Sequence, residues 1–459
     1  MLPADIARGT PLSSVRSPLG WLAGGGLLAL LGWLLVGELG LAMRDRAALP
    51  SALELISRQT SSDTTIALLL SALPSVLGVL LAPIVGYHSD RWRSRWGRRR
   101  PFLVITAPLG AAALLGLAAS PALGVLFDHW LGGWSPGVRP CKLGMFCLFW
   151  SAFECAAIAT LALYTGLVND VVPSRFLGRF YAAVRVMSLS VGIGFNSWLF
   201  ALTDAHLSDV LVGIAGVFGC GILLMCLMIR ERSTRSADAG AGVAARPPSV
   251  ARFAAVSTPE SDDRGLVTGW RTPTLLWAFG AFMLASVTFS PFNTFYLYYA
   301  SSLGISKGEL GSIAAYAYTA SIASAFGIGY LVDRYGAVRM SALMMLLYCM
   351  VALSGYGALR HGADFRLFYA AHVVISGAYF TAAASMPMAL FPKAQFLQFN
   401  STKDLLVALA GVLVSVIQGR ALDMSGHDYR LTLASASAFS MLSLVCLIRL
   451  HQRHRKPLP

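Results

Sequence analysis

Long apolar runs alternate with short polar ones along the whole chain. At 1.5 Å per residue, an α-helix needs about twenty apolar residues to cross roughly 30 Å of hydrocarbon. Twelve runs approach or exceed that length: 21–43, 64–87, 102–127, 143–168, 181–203, 210–229, 274–299, 310–332, 340–359, 367–391, 400–419 and 431–448. The first, Trp21 to Met43, is longer than a signal-peptide core and no cleavage pattern follows it, so it reads as a span. The eleventh is the least apolar, with Lys403 and Asp404 in its first turn; Ser401 or Thr402 is placed to cap it there.

The longest polar connection, 230–273, contains Ser-Thr-Arg-Ser, Ala-Gly-Ala-Gly and Arg246-Pro247-Pro248, the composition of a flexible linker. It divides the chain into an N-terminal six-helix half, 1–229, and a C-terminal six-helix half, 274–459. An even number of spans places both termini on one side of the membrane.

Composition agrees with this pattern. Of 459 residues, 56% are hydrophobic and 13% charged, where soluble domains carry about 25% charged residues. The length alone would suggest three soluble domains at about 150 residues each, but there is too little polar surface to cover them. Glycine without a three-residue period excludes collagen, and seven cysteines in 459 residues exclude a disulfide scaffold. The expected class is an all-α polytopic membrane protein. The net charge of +14 needs no nucleic-acid partner. With the N-terminus inside, inner segments hold 25 Lys and Arg and outer loops 10, the bias that orients membrane proteins. Both termini are therefore expected in the cytoplasm. No P-loop, dinucleotide fingerprint, nucleophile–base motif or zinc spacing occurs, so neither an enzyme nor a cofactor or metal is expected.

The halves share a signal. Gly86-Tyr-His-Ser-Asp90-Arg91 follows the second span, and Gly329-Tyr-Leu-Val-Asp333-Arg334 follows the eighth. One string at matched positions of a six-plus-six chain is an internal repeat of the kind transporters show. This organisation resembles the major facilitator superfamily, whose loop motif after span two is G-x-x-x-D-R with basic residues following. Here those are Arg95, Gly97, Arg98, Arg99 and Arg100, then Pro101-Phe102. That extension is similar to the sucrose–proton symporter branch of the glycoside–pentoside–hexuronide:cation symporters. So are Asn169-Asp170-Val-Val-Pro173, Gly178-Arg179-Phe180 and Arg185. The resemblance implies an acid sixteen residues before Asp170, and Glu154 stands there; where that branch has an arginine eleven residues further on, this chain has Thr165. Sodium-coupled members of the group carry aspartates on span two. Span 64–87 has no acidic residue, which favours protons as the coupling ion.

A charge at bilayer depth is costly and marks function. Glu154 lies 14 residues from the inner end of its span, roughly 21 Å deep. A carboxyl in that setting can hold a proton near neutral pH, so Glu154 is the expected proton-coupling residue; its alternative role is that of a hydrogen-bonded structural acid. Glu38 lies roughly 26 Å deep on span one, where it would share the proton, accept a sugar hydroxyl or snorkel to the interface. Arg185 is only four residues into span five, roughly 6 Å deep, too shallow to pair with Glu154; the resemblance implies a place in the substrate site, and the depth a cytoplasmic gate or a snorkelling arginine. Asn196 lies near the depth of Glu154 and is a candidate sugar ligand. Sugar sites combine polar groups with aromatic faces; Trp33, Trp150, Asn293, Tyr296, Tyr316, His372 and Tyr379 stand at suitable depths, although packing alone also places aromatics there. Gly86, Asp90, Arg91 and the Arg95–Arg100 cluster, with Gly329, Asp333 and Arg334, are expected to fasten helix ends as a gate.

The expected function is proton-coupled symport of a glycoside or oligosaccharide by alternating access. The partners are the sugar, protons and the bilayer, and the unit is a monomer. An exporter or antiporter of another small molecule, or a non-transporting assembly or pigment-delivery protein of the same fold, remains open on the sequence.

Overall fold

The structure, a computed structural model, describes residues 25–92, 94, 96–229, 273–391 and 396–454. The expected linker, apart from its last residue, and Arg95 lie outside the described residues. Twelve long helices follow one another: α1 Gly26–Ser57, α2 Asp63–Arg91, α3 Arg100–Leu131, α4 Val138–Val171, α5 Ser174–Gly194, α6 Thr203–Met228, α7 Pro273–Ser302, α8 Lys307–Tyr335, α9 Ala337–Ala358, α10 Gly362–Ala383, α11 Phe396–Met424 and α12 Leu431–His454. Eleven of them are long and apolar enough to cross a membrane. The remaining one, α5, carries Arg185, Ser188 and Ser190, which dilute its apolar run. The chain is a multi-pass integral membrane protein.

Starts and stops follow local chemistry. The hydroxyl of Ser62 accepts from the Thr65 amide at 3.3 Å and caps α2; Ser306 accepts from the Glu309 amide at 3.3 Å and caps α8. Between α2 and α3 the backbone turns at Gly97 with φ +98°, a value costly for a residue with a Cβ.

One boundary differs from the apolar pattern in a way that matters. The first span does not end at Met43. Its helix widens into a π turn at Arg44–Ala48 and continues through Leu49–Ser57. Arg44 and Arg46, which the pattern places in an outer loop, therefore sit inside the helix. Two more π turns interrupt the N-terminal helices, at Leu68–Ala72 and at Phe195–Leu199. All three lie where N-terminal helices meet C-terminal ones. Arg46 stands over the Tyr318 ring at 5.0 Å, Ser71 accepts from the Ser415 hydroxyl at 2.7 Å, and a Cβ on Gly311 would fall 2.2 Å from the Asn196 carbonyl oxygen. A π turn frees one carbonyl and re-aims one side chain, and such turns concentrate at functional sites.

The helices before 230 bury an aromatic ladder, Phe146, Trp150 and Phe153, against Phe218 of α6. A separate core follows residue 272, around Phe279, Phe289, Tyr348 and Phe399. The two sets join tightly at one end of the molecule. There the Asp423 carboxylate of α11 accepts from the Asp63 amide at 2.7 Å, the Thr64 amide at 3.1 Å, the Thr64 hydroxyl at 2.6 Å and the Ser62 hydroxyl at 3.1 Å. It thereby caps the first turn of α2 from the opposite set. His427 meets Asp63 at 2.7 Å, Lys307 bridges Glu54 at 2.8 Å and Asp204 at 2.5 Å, and the Tyr298 hydroxyl donates to the Leu53 carbonyl at 3.0 Å. Toward the opposite end, where the Arg98–Arg100 cluster sits, the same joining helices expose apolar side chains: Leu80 and Ile84 of α2, Phe326 and Tyr330 of α8, Leu405 and Leu409 of α11. The molecule is closed at the first end and open at the second.

Candidate functional site

The expected acid is present and is not alone. Glu154 is 1% exposed. Its Oε2 accepts from Arg44 Nη2 at 2.6 Å. Arg44 reaches it because the π turn holds the arginine against α4 when an ordinary helix end would have released it to a loop. Its other terminal nitrogen donates to Asp45 at 2.7 Å, and its Nε is buried without a partner among the described residues. A buried ion pair of this kind costs desolvation, and taking away one partner costs about 3–5 kcal/mol. Arg46, two residues on, donates to Ser188 of α5 at 3.2 Å and lies over the Tyr318 ring of α8 in the other set of helices. The Tyr164 hydroxyl donates to the Leu34 carbonyl at 3.0 Å and ties α4 to α1 nearly three turns away from this pair, one turn before Glu38 on α1. Glu38 is buried with no side-chain partner among the described residues.

Arg185 does not approach Glu154. Its Nη2 donates to the Gly377 carbonyl of α10 at 2.9 Å, across the two sets of helices, and its Nε is buried without a partner. Asn196 is buried: its amide donates to the Gly192 carbonyl at 2.8 Å, and its backbone abuts Gly311.

The aromatic candidates separate in the same way. Trp150 is fully buried in the ladder and its indole donates to the Leu69 carbonyl at 2.9 Å, so it holds α4 to α2 and offers a substrate nothing. Trp33 packs against the same core. Tyr379 is buried against Phe289, with ring centroids 5.7 Å apart. Tyr316 is 78% exposed, while Tyr318, two residues on, faces Arg46. On α7 and α10 the candidates converge. His372 Nε2 lies 2.9 Å from Asn293 Oδ1, its Nδ1 lies 2.7 Å from the Tyr348 hydroxyl, and the Tyr296 ring stands 5.7 Å from that of Tyr369.

At the open end, Arg99 bridges Asp90 at 2.8 Å and Asp170 at 2.8 Å, and Arg98 adds a bond to Asp170 at 2.9 Å. The clamp passes over Gly166, where a Cβ would lie 2.0 Å from an Arg99 nitrogen. Arg100 donates to the Cys226 carbonyl of α6, and Arg91 stacks on Tyr87 at 3.9 Å. Gly86 has open space around its Cβ position. This motif thus ties α2, α3, α4 and α6 to each other. The repeat is different: Asp333 and Arg334 are exposed, Arg334 rests over Tyr335 at 5.6 Å, Gly329 is uncrowded, and Asp333 has no ion pair among the described residues.

Three residues escaped the reading of the sequence. Arg44 and Arg46 follow the apolar run directly and look like loop charges; Tyr348 is one tyrosine in an apolar span.

The MFS/sugar transport protein family matches residues 62–395. Solute carrier family 45 member 3 of Mus musculus is 40% identical over 74 residues, 16% of this chain and 12% of that relative. Proton-associated sugar transporter A of Homo sapiens is 54% identical over 43 residues, 9% of this chain and 5% of that relative. The chain thus matches only a small part of the length of these curated relatives. Two solved structures share the fold over nearly its whole length. The D-xylose-proton symporter has a TM-score of 0.63 at 15% identity, covering 92% of this chain and 96% of that one. The nucleoside transporter NupG has a TM-score of 0.63 at 13% identity, covering 93% and 100%. The fold and the helix count agree with the family match over most of the chain, and the protein belongs to the MFS/sugar transport family of membrane transporters.

Proposed function

We propose that the chain is a proton-coupled symporter of a glycoside or oligosaccharide, with Glu154 as the proton site and Arg44 as its counter-ion. The observation that carries this reading is the ion pair of 2.6 Å between a fully buried carboxylate and an arginine of the first helix. A relative whose name is that of a proton-associated sugar transporter supports the same reading, and the fold is one that a D-xylose-proton symporter also has.

The cycle follows from charge balance. Ionised Glu154 needs Arg44 beside it, because an unpaired carboxylate at this depth is costly. A proton on Glu154 removes that need and releases Arg44 toward the cavity, where its donors meet sugar oxygens. Loss of the proton returns Arg44 to Glu154 and takes those donors away from the sugar. With both termini cytoplasmic, as the arginine count implies, the open end faces the cytoplasm. The observed pairing then belongs to the emptied, inward-facing carrier.

The test is uptake of labelled sucrose, maltose and glucose into proteoliposomes under an imposed pH gradient, a sodium gradient or neither. Accumulation should follow the pH gradient alone. Glu154→Gln keeps shape and hydrogen bonding but cannot ionise, so it should exchange sugar without concentrating it. Accumulation by Glu154→Gln, or accumulation driven by sodium, would overturn the assignment.

A further inference from the structure

We infer that Tyr348 and His372 fix the side-chain amide of Asn293 so that its Nδ2 hydrogens face the central cavity, a donor site for an oxygen of the transported molecule. The choice of a polyhydroxy compound as that molecule rests on the proposed function; the orientation of the amide does not.

The argument is one of donors and acceptors. Asn293 Oδ1 can only accept, so the contact of 2.9 Å requires the hydrogen on His372 Nε2. A neutral imidazole then has a lone pair on Nδ1, and the Tyr348 hydroxyl donates into it at 2.7 Å. Tyr348 and His372 are both buried. Phe289 packs 4.6 Å from the Tyr348 ring and Phe292 packs 4.6 Å from the His372 ring, so the relay is shut away from water. In such surroundings each polar atom takes its partner from the chain, and the three bonds order one another. The relay has one direction: tyrosine to histidine to asparagine oxygen.

It ends in the open. Asn293 is exposed, and its Nδ2 has no partner among the described residues. Ser290, one turn earlier on the same face of α7, lies 3.4 Å from Ser71 of α2. That face is therefore turned toward the N-terminal helices and not toward lipid. Tyr296 of α7 adds its ring beside Tyr369 on the same side of the helix pair. A fixed pair of N–H donors beside aromatic rings suits a hydroxyl or ether oxygen, which has lone pairs to offer. Without the relay the amide would rotate and present its oxygen as readily as its nitrogen.

Two measurements test this. The first is the tautomer of His372, read by nitrogen-15 NMR on histidine-labelled protein, with His372→Gln as the assignment control. Protonated Nε2 is expected, lost in favour of mixed tautomers in Tyr348→Phe; protonated Nδ1 in the wild type would overturn the inference. The second uses sucrose and its singly deoxygenated and singly fluorinated analogues as competitors of labelled sucrose uptake. At one hydroxyl position the fluorine analogue, still an acceptor, should compete better than the deoxy analogue, by about five-fold for one hydrogen bond of about 1 kcal/mol. Asn293→Asp keeps the oxygen for His372 and replaces the donors with an anion, so the order should reverse. Tyr348→Phe should raise KM with little change in kcat, whereas a purely structural role would lower the amount of folded carrier and leave KM alone. An unchanged analogue order in Asn293→Asp would overturn the inference. Absence of sucrose uptake by the wild type would count against the substrate class, and the histidine tautomer then decides the orientation by itself.

Discussion

The two sets of helices solve the problem of polar groups at membrane depth in opposite ways. The N-terminal set holds charges inside: Glu38 and Glu154 are buried and Arg44, Arg46 and Arg185 half-buried, all on α1, α4 and α5. The middle stretches of α7 to α12 carry no Asp, Glu, Lys or Arg. Their interior polarity is the neutral chain of Tyr348, His372 and Asn293, with Tyr296 and Tyr369 beside it. The contrast amounts to a division of labour. A charged pair responds to a proton; a neutral relay does not, and keeps its geometry through the cycle. Under the proposed function, coupling belongs to the first set and recognition is shared with the second.

The contrast is most vulnerable at Arg44. Arg44→Gln leaves Glu154 buried without a counter-ion, at a cost of about 3–5 kcal/mol, and should abolish sugar accumulation. Thermal denaturation in detergent should show the loss, and the double variant Arg44→Gln with Glu154→Gln should recover most of the stability while remaining uncoupled. No recovery in the double variant would mean that the pair is not the unit described. The corresponding removal on the neutral side, Tyr348→Phe, should cost only about 1 kcal/mol.

A smaller effect is expected where the sets meet. Asp423→Ala removes a cap supplied across the closed end by four hydrogen bonds. A lost cap of this quality costs about 2 kcal/mol, roughly thirty-fold in the ratio of closed to open. A thiol introduced by Ser71→Cys should then become reactive to an impermeant reagent from that side. Unchanged labelling would show that the capped turn does not hold the end shut.

How much of this was visible in the chain follows from the physics of each signal. Span number and family came through because a run of twenty apolar residues fits little besides a membrane span. Glu154 stands out in the sequence because an acid at that depth is expensive. Arg44 did not, since a run that stops at Met43 looks finished, and a π turn that continues the helix leaves no mark in hydropathy. Depth alone makes Trp150 and Asn196 candidates and does not tell which face of a helix a residue occupies; both are buried among neighbouring helices. The pairing of Asn293 with His372 joins helices 79 residues apart in sequence and has no local trace.

The repeated G-Y-x-x-D-R string carries the contrast to the membrane surface, because one sequence signal has two structural fates. In the N-terminal set Arg99 threads over Gly166 to hold Asp90 and Asp170 together. Gly166→Ala places a methyl group in the path of that guanidinium. The strain of overpacking is typically about 1–3 kcal/mol, and displacement of one flexible side chain lies at the low end. Transport should fall several-fold, and Gly166→Ala combined with Asp90→Asn should be no worse than Asp90→Asn alone. Strict additivity of the two would show that the glycine does not act through the clamp.

Asp333, the counterpart of Asp90, should have the smallest effect of all on stability. It is exposed and has no ion pair among the described residues at the open end. An exposed acid without partners contributes within about 0.5 kcal/mol, so Asp333→Asn should leave the melting temperature of the inward-open carrier unchanged. If the string is a gate in both halves, its acid must find a partner only when this end closes. Asp333→Asn should then slow uptake in proportion to the time spent closed at this end, an effect seen in transport rate and absent from stability. Asp90→Asn should lower both, because its partner is already engaged in the open state. A drop in melting temperature for Asp333→Asn equal to that for Asp90→Asn would mean that the two turns are equivalent and that their different surroundings carry no functional weight.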